Sequence, residues 1–167
     1  IIPEMSLSRS PAIKFRSDFA PGQPGYTHHY VIGNPKELGS KHSWIHTADF
    51  LLEYEKYHRE HPEYFALMND GGRLEPDPKS WRFDVHVCMS NPQVRDEAAR
   101  NLLTWIEAQP QRKYFMVSQG DGRGSKWCQC RECQAQDAVP GQVMTDRLLE
   151  YVNHLARKVA EKYPEKV

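Results

Sequence analysis

Three of the four cysteines in this 167-residue chain lie close together, in the segment Trp127-Cys128-Gln129-Cys130-Arg131-Glu132-Cys133. The two residues between Cys130 and Cys133 let both sulfurs reach one tetrahedral ion, as in a zinc knuckle. The fourth cysteine, Cys88, is predicted to complete a site with four cysteine ligands. Four protein ligands leave no open position for water, so the zinc predicted here is structural.

Two other interpretations of the cysteines stay open on the sequence alone. An even number of cysteines also fits two disulfide bonds, which an exported protein would favour. The cysteines could instead be buried free thiols, which are common in protein interiors. The measured sulfur–sulfur distances separate these alternatives, because a disulfide bond is about 2.05 Å long.

Strand and helix patterns alternate along the C-terminal half of the chain, which predicts an α/β fold with parallel strands. The fold class we predict is a partial (β/α)8 TIM-type barrel of about four βα units. Residues 1–167 are expected to form a single domain, a fragment of a longer barrel. Residues 1–45 are expected to be irregular and residues 81–163 to form regular βα units. The predicted strands, parallel and adjacent, lie near Ile13, Ile45, Val85 and Met116.

Two helices are predicted from apolar residues at helical spacing. Asn91 and Pro92 are typical of a helix start, so the first helix is expected over 92–109. Its predicted buried stripe, at four-residue spacing, contains Val94, Ala98, Leu102 and Ile106. The second is expected over 145–163. Its predicted buried face contains Leu148, Leu149, Val152, Leu155, Ala156 and Val159.

The composition argues against two classes of partner. Lysine and arginine total 22, and aspartate and glutamate also total 22, so the formal net charge is zero. A nucleic-acid-binding protein is expected to carry a basic excess. The apolar runs are only a few residues long, so no membrane-spanning helix is predicted.

Polar and aromatic side chains follow the predicted strands, where the loops of a barrel build the active site. Carboxylate, guanidinium and amide groups can hold sugar hydroxyls, and a tryptophan can stack on a sugar ring. The predicted ligand is therefore a glycan or oligosaccharide. The candidate binding residues are Arg16, Asp18, Trp44, His46, Gln119 and Trp127, and the candidate catalytic residue is Asp121.

Four ordered motifs resemble a bacterial family, the domain of unknown function numbered forty-eight thirty-eight. They are His61-Pro62-Glu63-Tyr64-Phe65-Ala66-Leu67, Cys88-Met89-Ser90-Asn91-Pro92, Val117-Ser118-Gln119-Gly120-Asp121 and the cysteine cluster. The resemblance implies a barrel similar to those of α-glucuronidases and β-N-acetylhexosaminidases. Arg16 matches an arginine that holds sugar hydroxyls there, whereas Asp121 stands alone where those enzymes carry an acidic pair. Members resemble exported proteins, which implies a periplasmic or extracellular location.

The function predicted at this point is a carbohydrate-active, glycoside-hydrolase-like barrel that acts on or binds glycans. Asp121 is the candidate general acid, and its partner carboxylate would come from the rest of the parent chain. The segment alone is therefore expected to be inactive. The alternatives are a non-catalytic glycan-binding barrel and a zinc-stapled structural module.

Overall fold

The computed structural model describes residues 46–76, 84–120 and 126–166, and every structural statement here concerns those ranges. The described residues form five α-helices and one short 3-10 helix. The α-helices are α1 (Ala48–Leu51), α2 (Tyr54–Tyr57), α3 (Pro92–Glu107), α4 (Arg131–Gln134) and α5 (Thr145–Lys162), and the 3-10 helix is Pro62–Tyr64. No helix of these ranges is both long and apolar enough to cross a membrane.

Helix α3 begins as its sequence predicts. The Asn91 side chain accepts a hydrogen bond of 2.9 Å from the backbone N–H of Gln93, and Pro92 occupies the first turn. This bond satisfies one of the N–H groups that a helix start leaves without an intrahelical partner. The apolar stripe at four-residue spacing is buried, which confirms that prediction. Its members are Val94, Ala98, Leu102 and Ile106.

Helix α5 is also where the sequence predicts a helix, but it is rotated relative to the expected face. Its buried residues, each four positions after the last, are Arg147, Tyr151, Leu155 and Val159. Leu149, expected inside, is 51% exposed, and Ala156 is exposed as well, so that part of the prediction is wrong. The rotation follows from Arg147, whose burial places Tyr151 rather than Leu149 against the core.

Helices α3 and α5 pack side by side and run in the same direction. Asp96 pairs with His154 at 3.3 Å, and near the C-terminal ends the Tyr163 hydroxyl donates to Glu107 at 3.1 Å. Two parallel helices cannot be joined by a tight turn, because the chain must return to the other end of the pair. The segment 108–144 makes this return, and it carries three of the four cysteines.

The predicted partial (β/α)8 barrel is wrong for the described part of the chain, which is mostly helical. It contains no β-strand, only three isolated bridges, all antiparallel. They are Phe65↔Val87, Leu67↔Arg73 and Val139↔Val143. The strands expected near Val85 and Met116 are therefore not strands of a parallel sheet. The strand expected near Ile13 lies outside the described residues.

The hydrogen bonds between Thr47 and Ser118 show why residue 118 does not pair in a β-ladder. The Ser118 backbone N–H donates to the Thr47 hydroxyl at 2.9 Å, and the Thr47 N–H donates to the Ser118 hydroxyl at 3.2 Å. A β-ladder needs backbone N–H groups to donate to backbone carbonyls of a neighbouring strand. Here side-chain hydroxyls take those bonds. This pairing replaces a ladder bond at residue 118, and the structure assigns no strand to residues 114–118.

The N-terminal described segment also differs from expectation. The strand predicted near Ile45 falls at the edge of the described range: Ile45 itself lies outside it, and Thr47 leads directly into helix α1. The pattern over 52–61 predicts a short helix, of which the structure forms only α2. Residues 69–72 form the tight turn that their sequence, Asn-Asp-Gly-Gly, predicts. Gly71 has φ 84°, a value that favours glycine, and the Met68 N–H donates to the Gly72 carbonyl at 2.8 Å.

The packing of α5 predicts a clear difference between two leucines of that helix. Leu155→Ala should lower the free energy of unfolding by about 2–5 kcal/mol, because Leu155 is fully buried in the core. Leu149→Ala is the matched control, and its effect should stay within about 0.5 kcal/mol. Urea denaturation measures both. Equal losses in the two variants would contradict this orientation of α5.

Candidate metal centre

The side chains of Cys88, Cys128, Cys130 and Cys133 converge, with their four sulfurs all within 4.8 Å of one another. The Cys88 sulfur lies 3.7 Å from that of Cys130 and 3.8 Å from that of Cys133. Cys88, Cys128 and Cys133 are buried, whereas Cys130 is partly exposed. The chain contains no other cysteine.

Three parts of the chain bring the sulfurs together. Cys88 lies just before α3, and its backbone N–H donates to the Tyr64 carbonyl at 2.8 Å. Cys130 is the N-cap of α4, where its sulfur accepts from the Cys133 N–H at 3.4 Å. Cys128 is held from the third side, because its sulfur accepts from the Leu67 N–H at 3.3 Å. The cluster therefore joins residues that are far apart in sequence.

The spacing of the sulfurs fits one tetrahedral ion. With metal–sulfur distances of about 2.3 Å, the edges of an ideal tetrahedron of sulfurs are about 3.8 Å long. The measured distances from Cys88, 3.7 and 3.8 Å, match that edge. No two sulfurs are at the bonding distance of about 2.05 Å, so the disulfide alternative is wrong for this structure. The set is compatible with a metal site.

The hydrogen bonds among the cysteines shift the pKa values of their thiols in opposite directions. The bond with Cys128 is the main cause that lowers the pKa of Cys133. The same bond raises the pKa of Cys128 to about 11. Bonds to Cys128 and Cys133, together with burial, raise the pKa of Cys88. Because the pKa values of Cys88 and Cys128 are raised, a metal ion must displace protons from these thiols as it binds.

A buried ion pair lies beside the cluster. The Arg147 side chain is fully buried, and its guanidinium binds both carboxylate oxygens of Asp137, with Nε 2.5 Å from Oδ1. A third bond of 2.6 Å runs from Arg147 to the carbonyl of Cys128. The hydrogen bonds from Arg147 are the main cause that holds the pKa of Asp137 below its ordinary value. Arg147 thus ties helix α5 to the segment that carries the sulfurs.

Sequence reasoning missed Arg147 and Asp137, although a signal for Arg147 exists. Arg147 lies four residues before Tyr151, in register with the buried positions Leu155 and Val159. A charged residue in register with an apolar stripe indicates a buried cation that needs a partner. Asp137 gives no comparable signal, because the loop that contains it has no regular period.

The candidate glycan-binding residues have different outcomes. His46 and Gln119 come together, with Nδ1 of His46 3.4 Å from the Gln119 carbonyl. Trp127 lies beside the cysteine cluster. The centre of its ring is 5.7 Å from the ring centre of His86, in an edge-to-face arrangement, and 5.9 Å from the guanidinium carbon of Arg147. Arg16, Asp18, Trp44 and the catalytic candidate Asp121 lie outside the described residues.

The sequence of the whole chain matches a family described as Domain of unknown function (DUF4838), over residues 1–167. The chain belongs to this family, which confirms the resemblance carried by the four motifs. No curated protein matches the chain, and no solved structure does. The further resemblance to glycoside hydrolases and the exported location stay predictions.

Breaking the buried ion pair should destabilise the protein strongly. Arg147→Met should cost about 3–5 kcal/mol of unfolding free energy, because the Asp137 carboxylate is left buried without its partner. Arg157→Met, on an exposed position of the same helix, is the matched control. Because the folded pKa of Asp137 is lowered, its contribution is complete at neutral pH and is lost as the pH falls through that pKa. Denaturation of both variants and the wild type at neutral and acid pH measures this, and a cost of Arg147→Met that is independent of pH would contradict it.

Proposed function

We propose that the four cysteines hold a single zinc ion as a closed structural site that staples residues 126–144 of the return segment to the start of α3. The observation that carries the proposal is the spacing of the four sulfurs, all within 4.8 Å. Soft thiolate ligands in a tetrahedral arrangement favour zinc or iron over magnesium and calcium. Four protein ligands leave no place for a metal-bound water, so the role is structural rather than catalytic.

The contacts around the cluster support a stapling role. Lys126 pairs with Asp84 at 3.0 Å, and Arg95 donates to the Gln136 side chain at 3.1 Å. Both contacts join the same two parts of the chain as the sulfurs do, residues 84–95 and 126–137. Both contacts are partly buried, and a single polar contact of this kind adds only about 1–3 kcal/mol. A metal bound by four thiolates would add a far stronger link between the two parts.

Hydrogen bonds to the sulfurs support the same proposal. The backbone N–H groups of Leu67 and Cys133 donate to the sulfurs of Cys128 and Cys130. Donors that point at ligand atoms orient those ligands and stabilise their charged form. Ordinary buried cysteines behave as small hydrophobic groups and do not need such donors.

Protein purified without chelator should contain about one zinc ion per chain, measured by elemental analysis. Above saturation, each tenfold rise in free zinc should raise the free energy of unfolding by about 1.4 kcal/mol, because zinc binds the folded state. Acidification should release the zinc, since protons compete for the thiolates, and a return to neutral pH should restore it.

Cys88→Ser provides the control for that experiment. This variant should match the stability of the chelator-treated wild type, and added zinc should not change it. A wild type that binds no metal and has the same stability with and without zinc would contradict the proposal. Iron in place of zinc would appear in the elemental analysis and would give the chain a visible absorption that zinc lacks.

We propose glycan binding as a second function, at the junction where residues 46–47 meet residues 118–119. The reciprocal bonds between Thr47 and Ser118 support it, because they bring two predicted polar ligands, His46 and Gln119, together. His46 also has φ 53°, an uncommon conformation for a residue other than glycine. Strained backbone of this kind is frequent at functional sites.

Calorimetric titration tests glycan binding with oligosaccharides that contain glucuronic acid or N-acetylhexosamine. Gln119→Ala should weaken binding roughly tenfold or less, the effect of losing one hydrogen bond to the ligand. His61→Ala, at a partly exposed position of another segment, is the control and should bind as the wild type does. Absence of binding to either class of sugar by the wild type would contradict this second proposal.

A further inference from the structure

Ser90 lies among three of the four sulfurs, although it is not one of the four proposed metal ligands. Its hydroxyl oxygen is 3.1 Å from the sulfur of Cys133. The same oxygen is 3.6 Å from the sulfur of Cys88 and 3.6 Å from that of Cys130. All three distances are within the range of hydrogen bonds that involve sulfur.

The Ser90 hydroxyl can form a hydrogen bond with each of these three sulfurs. A serine hydroxyl has one hydrogen to donate and two lone pairs that accept. A metal-bound Cys133 sulfur can only accept, so the hydroxyl hydrogen then goes to this closest sulfur. The lone pairs can accept from the thiols of Cys88 and Cys130. One side chain therefore contacts three ligands before any ion is bound.

The other donors to the cluster belong to the backbone. Cys128 accepts from the Leu67 N–H, and Cys130 accepts from the Cys133 N–H. Of these donors, the Ser90 hydroxyl is the one that a side-chain substitution removes. It also sits between Cys88 and the Asn91 cap of α3, so the start of the helix fixes its position.

We propose that Ser90 is a positioning residue of the metal centre. In the metal-free protein it holds the sulfurs of Cys88, Cys130 and Cys133 at the spacing of one ion. After metal binding it donates to the Cys133 thiolate and lowers the energy of the sulfur lone pairs. This inference rests on the proposed metal site and adds the residue that prepares it.

Cobalt titration followed by absorption tests the proposal, because cobalt bound to thiolates has a visible sulfur-to-metal charge-transfer band. Ser90→Ala should weaken cobalt binding about 10–100-fold, the usual effect of removing a partner of a metal ligand. Its charge-transfer band should move to longer wavelength, because the sulfur of Cys133 loses a hydrogen bond. Ser90→Thr keeps the hydroxyl and should restore both properties.

Thr104→Ala is the matched control, since it removes a hydroxyl from α3 that bonds only locally to the Arg100 carbonyl. It should bind cobalt as the wild type does. A wild type that fails to bind cobalt contradicts the metal site itself. A wild type that binds, with a Ser90→Ala variant equal to it in affinity and band position, overturns the role of Ser90 alone.

Weaker binding by Ser90→Ala with an unchanged band and no rescue by Ser90→Thr also overturns the proposal, because it indicates only a packing defect. If Ser90→Ala does not fold, a measurement on the wild type still tests the proposal. In the NMR spectrum of the cadmium-loaded wild type, the Ser90 hydroxyl proton should show a scalar coupling to the cadmium nucleus through the Cys133 sulfur. Absence of that coupling overturns the proposal.

Discussion

The convergence of four sulfur atoms is the constraint on which the described structure depends. Cysteines 42 and 45 positions apart come within 4 Å of each other, which requires the start of α3 and the segment before α5 to lie together. Because α3 and α5 run in the same direction, the chain between them has to cross back over their ends. The cluster lies where this return segment reaches the start of α3.

Charge around the cluster explains why a cation is buried in helix α5. Arg147 occupies a position of the core stripe that an apolar residue would fill in an ordinary amphipathic helix. Its guanidinium bonds Asp137 and the carbonyl of Cys128, so both partners of these hydrogen bonds lie in the return segment. A buried charge is tolerated only with such partners. The result is that the rotation of α5 and the fold of the cysteine segment depend on each other.

The cysteine cluster and the junction at His46 and Gln119 lie in different parts of the return segment. The cysteines lie after residue 126, whereas the junction lies at residues 118–119, before the interruption in the described chain. In both places, side chains rather than a β-sheet join distant parts of the backbone. Sulfurs do this at the cluster, and the Thr47 and Ser118 hydroxyls do it at the junction. Of the described residues between α3 and α5, only those of α4 form a helix.

The sequence by itself determined the two long helices and the membership of the cysteine set. Helical periodicity and the Asn91–Pro92 start signal are local properties, so α3 and α5 are within a few residues of their predicted bounds. The spacing of Cys128, Cys130 and Cys133 likewise needs only a short stretch of chain. Tertiary structure alone decided the rest. A strand forms only where a distant segment of backbone pairs with it, and the sequence of an apolar run does not show that segment. The run near Val85 forms only one isolated bridge, between Val87 and Phe65. In the run near Met116, the Ser118 N–H donates to the hydroxyl of Thr47 instead of to a backbone carbonyl. The burial of Arg147 was equally undecided, because it depends on Asp137 and Cys128 reaching the same place in the folded chain.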